Sequence, residues 1–228
     1  MKKTTKDTQV QKAKIGGELN FAAREAYNLL KTNVMFSFPD KEGGKIIGIS
    51  SSYPKEGKST TAINLAYSLG EAGYSVLLID GDLRLPSIYK YLEIEMSPGL
   101  SNYISGEEVP NIHKGILGDK VDVITSGDIP PNPSILISSK RMNDVLADFQ
   151  NSYDYIIFDL PPVLSVSDAV AVSKYIDGIV LVVRHDYTRT KDVMDVVRQL
   201  EFAGAKILGF VYNRSTHRKT RRYKQSKK

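Results

Sequence analysis

The stretch SSYPKEGKST carries the residues with the clearest chemical signature in the chain. Gly57, Lys58 and Ser59 match the end of the phosphate-binding pattern G-x-x-x-x-G-K-[ST], and Thr60 follows them. Ser52 stands where the first glycine of the pattern is expected, and serine also tolerates tight turns. In such a loop, backbone N–H groups and a helix N-terminus face an anion, the lysine reaches the terminal phosphates and the hydroxyl binds Mg²⁺. The stretch therefore predicts a nucleotide site.

Three aspartates follow apolar runs elsewhere in the chain. Asp80 and Asp82 lie in SVLLIDGDLRLP, and Asp159 lies in YDYIIFDLPP. Carboxylates at the carboxyl ends of parallel strands point into the crevice where α/β proteins bind ligands. A Mg²⁺ ion held by phosphates and water needs only one or two of them. Beside a phosphate-binding loop, the three aspartates are therefore predicted as site residues rather than helix caps.

These residues need strands and helices to bring them together. Apolar runs without polar alternation predict strands over 46–50, 76–80, 121–125, 155–159, 179–183 and 207–212. Helical spacing predicts helices over 21–36, 59–71, 133–150, 167–175 and 189–202. Such strands are covered by helices on both faces, and strand–helix alternation gives a mostly parallel sheet. We therefore predict a single α/β domain of the P-loop NTPase fold.

Composition excludes several classes of protein. The 228 residues include no cysteine, which excludes disulfides and thiolate metal sites and fits a reducing cytosol. The apolar runs are far shorter than the roughly 18 residues of a membrane span. The charged N-terminus has no apolar stretch behind it, so no secretory signal is predicted. We expect a cytoplasmic protein.

Charge divides the chain into a body and a tail. Eight Lys or Arg and no acid lie from Arg214 to the end; since the whole chain carries +5, the remainder carries −3. We predict a mobile segment at 1–18, a domain at 19–213 and a basic tail at 214–228. Such a tail is either solvated or docked on something anionic.

The motifs together resemble those of the bacterial tyrosine kinases. SSYPKEGKST is similar to the Walker A motif of that family, LLIDGDLRLP to its Walker A′ motif and YDYIIFDLPPV to its Walker B motif. The resemblance covers roughly residues 25–214 and is strongest to the cytoplasmic kinases of two-protein capsule and exopolysaccharide systems of Gram-positive bacteria. It implies a MinD/ParA-like fold and an ATP- and Mg²⁺-dependent protein-tyrosine kinase that autophosphorylates on its C-terminal tail.

The resemblance also implies partners. These are a transmembrane activator of the polysaccharide co-polymerase type, a tyrosine phosphatase and further copies of the chain in a ring, with no nucleic acid expected. The protein would then lie at the inner face of the membrane through its partner.

Under this reading each site residue has an expected role. Lys58 neutralises the β- and γ-phosphates, and Mg²⁺ is held by Ser59, Asp80 and Asp159. A tyrosine hydroxyl has an unperturbed pKa near ~10, so a carboxylate must accept its proton; Asp80 is the first candidate and Asp82 assists. Arg84 steadies the γ-phosphate or the acceptor, unless it forms only a surface salt bridge. The residues expected to bind ATP are Glu56, Gly57, Lys58, Ser59, Thr60 and Asn213, with Asn213 reading adenine or serving only as a strand-end residue.

Three departures from the family pattern fall in the body of the chain. Members usually have glycine where Lys55 stands and a bulkier residue at Gly81. They often carry E-x-x-R-x-x-R in the N-terminal helix, where this chain has Glu25, Asn28 and Lys31. We nevertheless predict that the helix over 19–38 forms an oligomer interface through Glu25 and Lys31.

A fourth departure is in the tail. Family members end in a cluster of tyrosines, whereas Tyr223 is the one tyrosine beyond Tyr212. We predict that Tyr223 is the main phosphorylation site and that Tyr212 is protected in a buried strand. The histidines are expected to be ordinary surface residues: His113, His185 and His217.

Two other functions remain open. A ParA/MinD-type ATPase switch has the same fold, but its additional lysine falls at Tyr53 here; a basic tail would let it bind DNA phosphates. A non-catalytic nucleotide-binding regulator of a membrane partner would need no tail tyrosines.

Overall fold

The structure is a computed structural model that describes residues 14–215. Residues 1–13 and 216–228 lie outside this range, including most of the predicted tail with Tyr223 and His217. Residues 14–18, predicted to belong to a mobile segment, pack against the domain. Gly16 to Glu18 form a 3₁₀ turn, and the Gly16 amide donates to the Asn64 side chain at 2.9 Å.

The strands form one sheet in the order β3-β4-β2-β5-β1-β6-β7. Their bounds are Lys45–Ser51 (β1), Val76–Asp80 (β2), Ile112–His113 (β3), Val121–Ile124 (β4), Tyr155–Asp159 (β5), Gly178–Arg184 (β6) and Ile207–Asn213 (β7). All neighbours are parallel except β3, which is antiparallel to β4. The predicted mostly parallel sheet is confirmed.

Helices cover both faces of the sheet. Their bounds are Phe21–Phe36 (α1), Lys58–Glu71 (α2), Ile88–Leu92 (α3), Leu100–Ser105 (α4), Pro133–Ile137 (α5), Lys140–Gln150 (α6), Asp168–Val172 (α7) and Thr190–Phe202 (α8). One apolar core joins α1, α2 and α3 to the sheet, and a second joins α4 to α8 to its other face. Within the described range, no helix is long and apolar enough to span a bilayer.

Some elements differ from their predicted form. The helix predicted over 133–150 is two helices, because Ser139 begins α6 as an N-cap whose hydroxyl accepts from the Met142 amide. The helix predicted over 167–175 is α7 followed by a 3₁₀ turn. The short elements β3, α3 and α4 were not predicted, because each is too short to show a period.

The prediction that Tyr212 is protected in a buried strand is wrong. β7 is an edge strand, paired with β6 alone among the described strands, and Tyr212 is 57% exposed. Its apolar sequence resembles that of the central strands, but the sheet ends there. Exposed apolar side chains therefore remain along β7.

Candidate active site

The phosphate-binding loop connects β1 to α2. Its last glycine, Gly57, has φ +102°, a left-handed conformation that favours glycine. A Cβ atom there would also lie 2.1 Å from Nδ2 of Asn213, which donates a hydrogen bond to the Glu56 carbonyl at 2.8 Å. The backbone at Ser52 lies outside the left-handed region, so serine fits where the pattern has glycine. The loop therefore folds as the motif predicts, with Asn213 packed against it.

The side chain of Glu56 braces this loop from inside. It is fully buried, and Oε2 accepts from the amides of Ser52 at 2.8 Å and Tyr53 at 3.2 Å. Its other oxygen accepts from the Thr188 hydroxyl. A carboxylate held in this way faces the loop's own amides, so any contact between Glu56 and phosphate would involve its backbone.

Lys58 lies among carboxylates from two adjacent strands. β2 and β5 are paired so that Asp80 is opposite Asp159 at their carboxyl ends. The Lys58 ammonium lies 3.0 Å from Asp82 and 3.5 Å from Asp159. The sheet therefore brings together the lysine and the three aspartates that were predicted from separate motifs.

Burial and mutual charge shift the pKa values of this cluster. Burial lowers the pKa of Lys58, but Asp159, Asp82 and Asp80 together outweigh it and raise that pKa above its usual value. Burial, and next the charge of Asp159, raises the pKa of Asp80 to about 7. Burial also raises the pKa of Asp159. Asp80 therefore exchanges its proton near neutral pH, as a general base should.

Asp80 is also held by the chain that follows β2. Its Oδ2 accepts from the amides of Ser87 at 3.0 Å and Ile88 at 2.9 Å, and its Oδ1 accepts from the backbone amide of Asp82 at 3.2 Å. The Ser87 hydroxyl donates to the Ser59 hydroxyl at 2.9 Å. Ser87 thus joins the predicted catalytic aspartate to the predicted Mg²⁺ ligand.

The donor set suits Mg²⁺ bound together with a nucleotide. The Ser59 hydroxyl lies beside Asp159, and both lie at the carboxyl edge of the sheet. Within residues 14–215, no group of three or more His, Cys, Asp or Glu is arranged to hold a metal by itself. One hydroxyl and one or two carboxylates instead match the way Mg²⁺ binds with phosphate oxygens and water.

Arg84 is engaged away from the phosphate-binding loop. Its guanidinium donates to Asp168 at 2.7 and 3.2 Å and to the Ser134 hydroxyl at 2.7 Å. Asp168 is buried, and Ser134 also donates to it at 2.6 Å. The predicted contact of Arg84 with phosphate or acceptor would require exchanging this buried carboxylate partner.

Gly81 separates the two Walker A′ aspartates and touches the Walker B strand. A Cβ atom at Gly81 would lie 2.3 Å from Cε2 of Phe158, the residue before Asp159. The ring of Phe158 therefore leaves no room for a side chain at position 81. This close packing explains why glycine stands here instead of the bulkier residue that is usual in the family.

A groove of about 400 Å³ lies between α1 and β7. Thr60 and Asn213 line it together with Tyr27 and Leu30. These two residues were predicted to bind ATP, and the groove adjoins the phosphate-binding loop through them. An adenine ring therefore has an apolar space available next to the predicted reader, Asn213.

The predicted interface residues form a ladder on α1. Asn28 donates to Glu25 at 3.2 Å, and Lys31 donates to Asn28 at 3.3 Å. Exposed apolar side chains accompany them, including Leu29, which is 63% exposed. Asn28 therefore forms hydrogen bonds with both Glu25 and Lys31. Family members often carry an arginine at this position, which would contact the same two side chains.

The histidines are less ordinary than expected. His113 is half-buried in β3, and its Nε2 atom is buried without a hydrogen-bond partner in the described part of the chain. His185 contacts the Tyr212 hydroxyl and lies 3.1 Å from Asp186. Neither belongs to a metal-binding group among residues 14–215.

Sequence reasoning missed several supporting residues: Ser87, Ser134, Asp168 and Thr188. Of these, Ser87 stands directly before a short helix after LRLP, which is a weak turn signal. Asp168 and Ser134 reach Arg84 from α7 and α5, 84 and 50 residues away. No local pattern marks contacts of that kind.

Comparisons with known proteins agree with this fold. A family model described as an AAA domain matches residues 44–206. Tyrosine-protein kinase YwqD of Bacillus subtilis is 37% identical over 190 residues, which are 83% of this chain and 80% of the relative. The kinase domain of the Escherichia coli tyrosine kinase ETK is 34% identical with a TM-score of 0.79, covering 86% of this chain and 78% of that one. MinD of Pyrococcus horikoshii, complexed with Mg-ADP, is 27% identical with a TM-score of 0.64, covering 76% and 72%.

Proposed function

The chain belongs to the bacterial tyrosine-kinase family, and we propose that it transfers the γ-phosphoryl group of ATP to protein tyrosines. The observation that carries the proposal is the buried cluster of Lys58 with Asp80, Asp82 and Asp159 at the carboxyl ends of β2 and β5. Phosphoryl transfer depends on positioning and charge neutralisation. This cluster supplies both at the end of a phosphate-binding loop.

Each residue has a defined task in the transfer. The loop amides and Lys58 hold the β- and γ-phosphates. Asp80 accepts the proton of the acceptor hydroxyl as the tyrosine oxygen bonds to the γ-phosphorus, and the bond to the leaving ADP oxygen breaks. Because its pKa is about 7, Asp80 is ionised in a large share of molecules at neutral pH. Asp82 pairs with Lys58 and keeps its ammonium in place.

Mg²⁺ would be held by Ser59 and Asp159, with Asp80 nearby. When bound, the ion neutralises charge on the β- and γ-phosphates. The bonds from Ser87 to Ser59 and Asp80 keep hydroxyl and carboxylate facing the same space. Thr60 and Asn213 are proposed to contact the nucleotide from the groove beside α1.

One experiment separates this function from its rivals. The full chain is incubated with Mg·ATP, with and without EDTA, and both phosphotyrosine and released phosphate are measured. A kinase gives Mg²⁺-dependent phosphotyrosine. Phosphate release without phosphotyrosine would indicate a MinD-like ATPase switch, and nucleotide binding with neither product would indicate a non-catalytic regulator.

Autophosphorylation is proposed to fall on Tyr223 in the basic tail. Phosphate adds about −1.5 to −2 of charge at neutral pH, which offsets part of the tail's positive charge and favours release from the acidic site. Tyr212, although exposed, is held in a strand whose backbone pairs with β6. Mass spectrometry after incubation with Mg·ATP should find phosphate on Tyr223; phosphate confined to other tyrosines would contradict this assignment.

The partners are proposed from family membership. We propose that a transmembrane adaptor brings the protein to the inner face of the membrane, that a tyrosine phosphatase reverses its phosphorylation, and that it regulates capsule or exopolysaccharide synthesis. Exposed Glu25 and Leu29 on α1 support a ring of copies. Light scattering should show a smaller oligomer for Glu25→Arg than for wild type; unchanged mass would remove α1 from the interface.

A further inference from the structure

Lys55 has a backbone conformation that favours glycine. It lies next to the cavity in which the phosphates of ATP are expected to bind. We propose that its ammonium is a second cationic contact for the nucleotide's phosphates, in addition to Lys58. The inference rests on the proposed function, since it assumes that this loop binds ATP. It gives Lys55 a ligand of stated chemistry, the phosphate chain of a nucleoside polyphosphate.

The backbone at Lys55 is strained. Its φ is +65°, in the left-handed region where a side chain crowds the backbone. The surroundings nevertheless fix this conformation. The Arg184 guanidinium donates to the Lys55 carbonyl at 3.2 Å, and the next residue, Glu56, is bound on both sides. Strain retained by surrounding contacts is a feature of ligand sites.

Lys55 shares a cavity with the catalytic groups. The cavity, of about 250 Å³, is lined by Lys55 together with Lys58, Ser59 and Asp82. Lys55 is exposed, and no carboxylate of residues 14–215 forms an ion pair with it. Its charge is therefore available at the mouth of the cavity.

Lys58, which lies deeper in the site, cannot attract the nucleotide phosphates alone. Lys58 is already paired with Asp82 and Asp159, and Asp80 adds a third carboxylate. These carboxylates therefore offset the positive charge of Lys58 before a nucleotide binds. Lys55 supplies a positive charge that these carboxylates do not neutralise by contact.

The position of the charge predicts which nucleotides respond. A contact with phosphates should matter more for ATP than for ADP, and least for AMP, because Coulomb attraction grows with ligand charge. It should also weaken at high salt, since an exposed charge is screened over about 10 Å at 0.1 M. A contact with the base or ribose would affect all three nucleotides equally.

The test measures dissociation constants of the full chain for ATP, ADP and AMP without Mg²⁺, so that ligand charge rises from AMP to ATP, by calorimetry at low and high salt. Binding of ATP to wild type is also measured with Mg²⁺. Lys55→Gln removes the charge but keeps a side chain at the strained position. We expect Lys55→Gln to raise the constant for ATP by roughly three- to tenfold, with a smaller rise for ADP and little for AMP. Lys55→Arg should bind like wild type. Lys120→Gln, an exposed lysine before β4, is the matched control and should change nothing.

A third variant separates charge from strain. Lys55→Gly removes both, so it should bind ATP as weakly as Lys55→Gln but melt about 1–3 °C higher than Lys55→Gln. Equal ATP affinity in Lys55→Gln and Lys120→Gln would overturn the proposal, as would an equal loss for ATP and AMP. Absence of ATP binding in wild type would instead contradict the proposed function itself.

Discussion

The centre of the sheet and its β7 flank are built from similar apolar strands but behave differently. At the centre, the ends of β1, β2 and β5 are buried, and each functional group is held by several partners. At the flank, α1 and β7 expose Leu29, Phe210 and Tyr212. The difference shows that position in the sheet decides whether an apolar strand encloses a reaction or presents a surface.

This contrast has a chemical consequence. Groups in the centre have shifted pKa values because burial strengthens every charge interaction there. Side chains at the flank remain close to water, where the same contacts contribute little. Substitutions in the centre should therefore have large effects on transfer and stability, and substitutions in the flank small ones.

The largest difference is expected between two lysines. Lys58→Met removes the cation that we propose faces the developing phosphate charge, and it should lower the transfer rate by at least about 10²–10³-fold. Lys206→Met removes an exposed cation at the start of β7, where the ammonium donates to the Ser37 carbonyl at 3.1 Å, and should leave the rate within about twofold.

Phosphotyrosine formed over time measures both variants, and circular dichroism confirms that each is folded. Wild-type turnover in folded Lys58→Met would remove Lys58 from the mechanism. A matching loss in Lys206→Met would show that the flank is coupled to the chemistry.

The next largest effect concerns the packing of Gly81 on Phe158. Gly81→Ala places a methyl group 2.3 Å from the ring and should lower the free energy of unfolding by about 1–3 kcal/mol. Phe158→Leu in the same chain should restore part of that loss, because the smaller side chain makes room. Urea denaturation of the two single variants and the double variant gives their coupling; strictly additive effects would show that the two residues do not clash.

Asp80 should make activity and stability depend on pH in opposite directions. An unfolded aspartate has a pKa near 3.9, whereas that of folded Asp80 is about 7. Between these values the folded state binds more protons, so stability falls as pH rises from about 4 to 7. The transfer rate should rise through about pH 7, because only the ionised carboxylate accepts a proton.

Asp80→Asn isolates the stability part of this effect. Asparagine does not titrate, so the stability of wild type relative to Asp80→Asn should decrease from about pH 4 to pH 7 and then level off. Denaturation at several pH values measures this difference. A constant difference would show that Asp80 has an ordinary pKa and is a poor candidate for the base.

The sequence allowed most of the centre to be predicted, for a physical reason. Gly57, Lys58 and Ser59 have their positions fixed by local backbone geometry, and Asp80 and Asp159 by the ends of the strands that carry them. The prediction that Tyr212 is buried was wrong, because an apolar strand at the edge of a sheet has the same kind of sequence as one in its middle. The Asp168 contact with Arg84 depends on distant segments, which no local pattern records.

The smallest effects are expected for two tyrosine hydroxyls, and they compare the two regions most directly. Tyr153 packs against the core and donates to Asp122 at 2.8 Å, and burial followed by this bond raises its pKa. Tyr153→Phe leaves the carboxylate without this partner and should cost about 1 kcal/mol. Tyr212 contacts His185, but it is 57% exposed, so water can replace the bond. Tyr212→Phe should therefore cost less than about 0.5 kcal/mol. Urea denaturation of both variants at one pH measures these losses in the free energy of unfolding. A larger loss for Tyr212→Phe than for Tyr153→Phe would show that the β7 edge is held as firmly as the core.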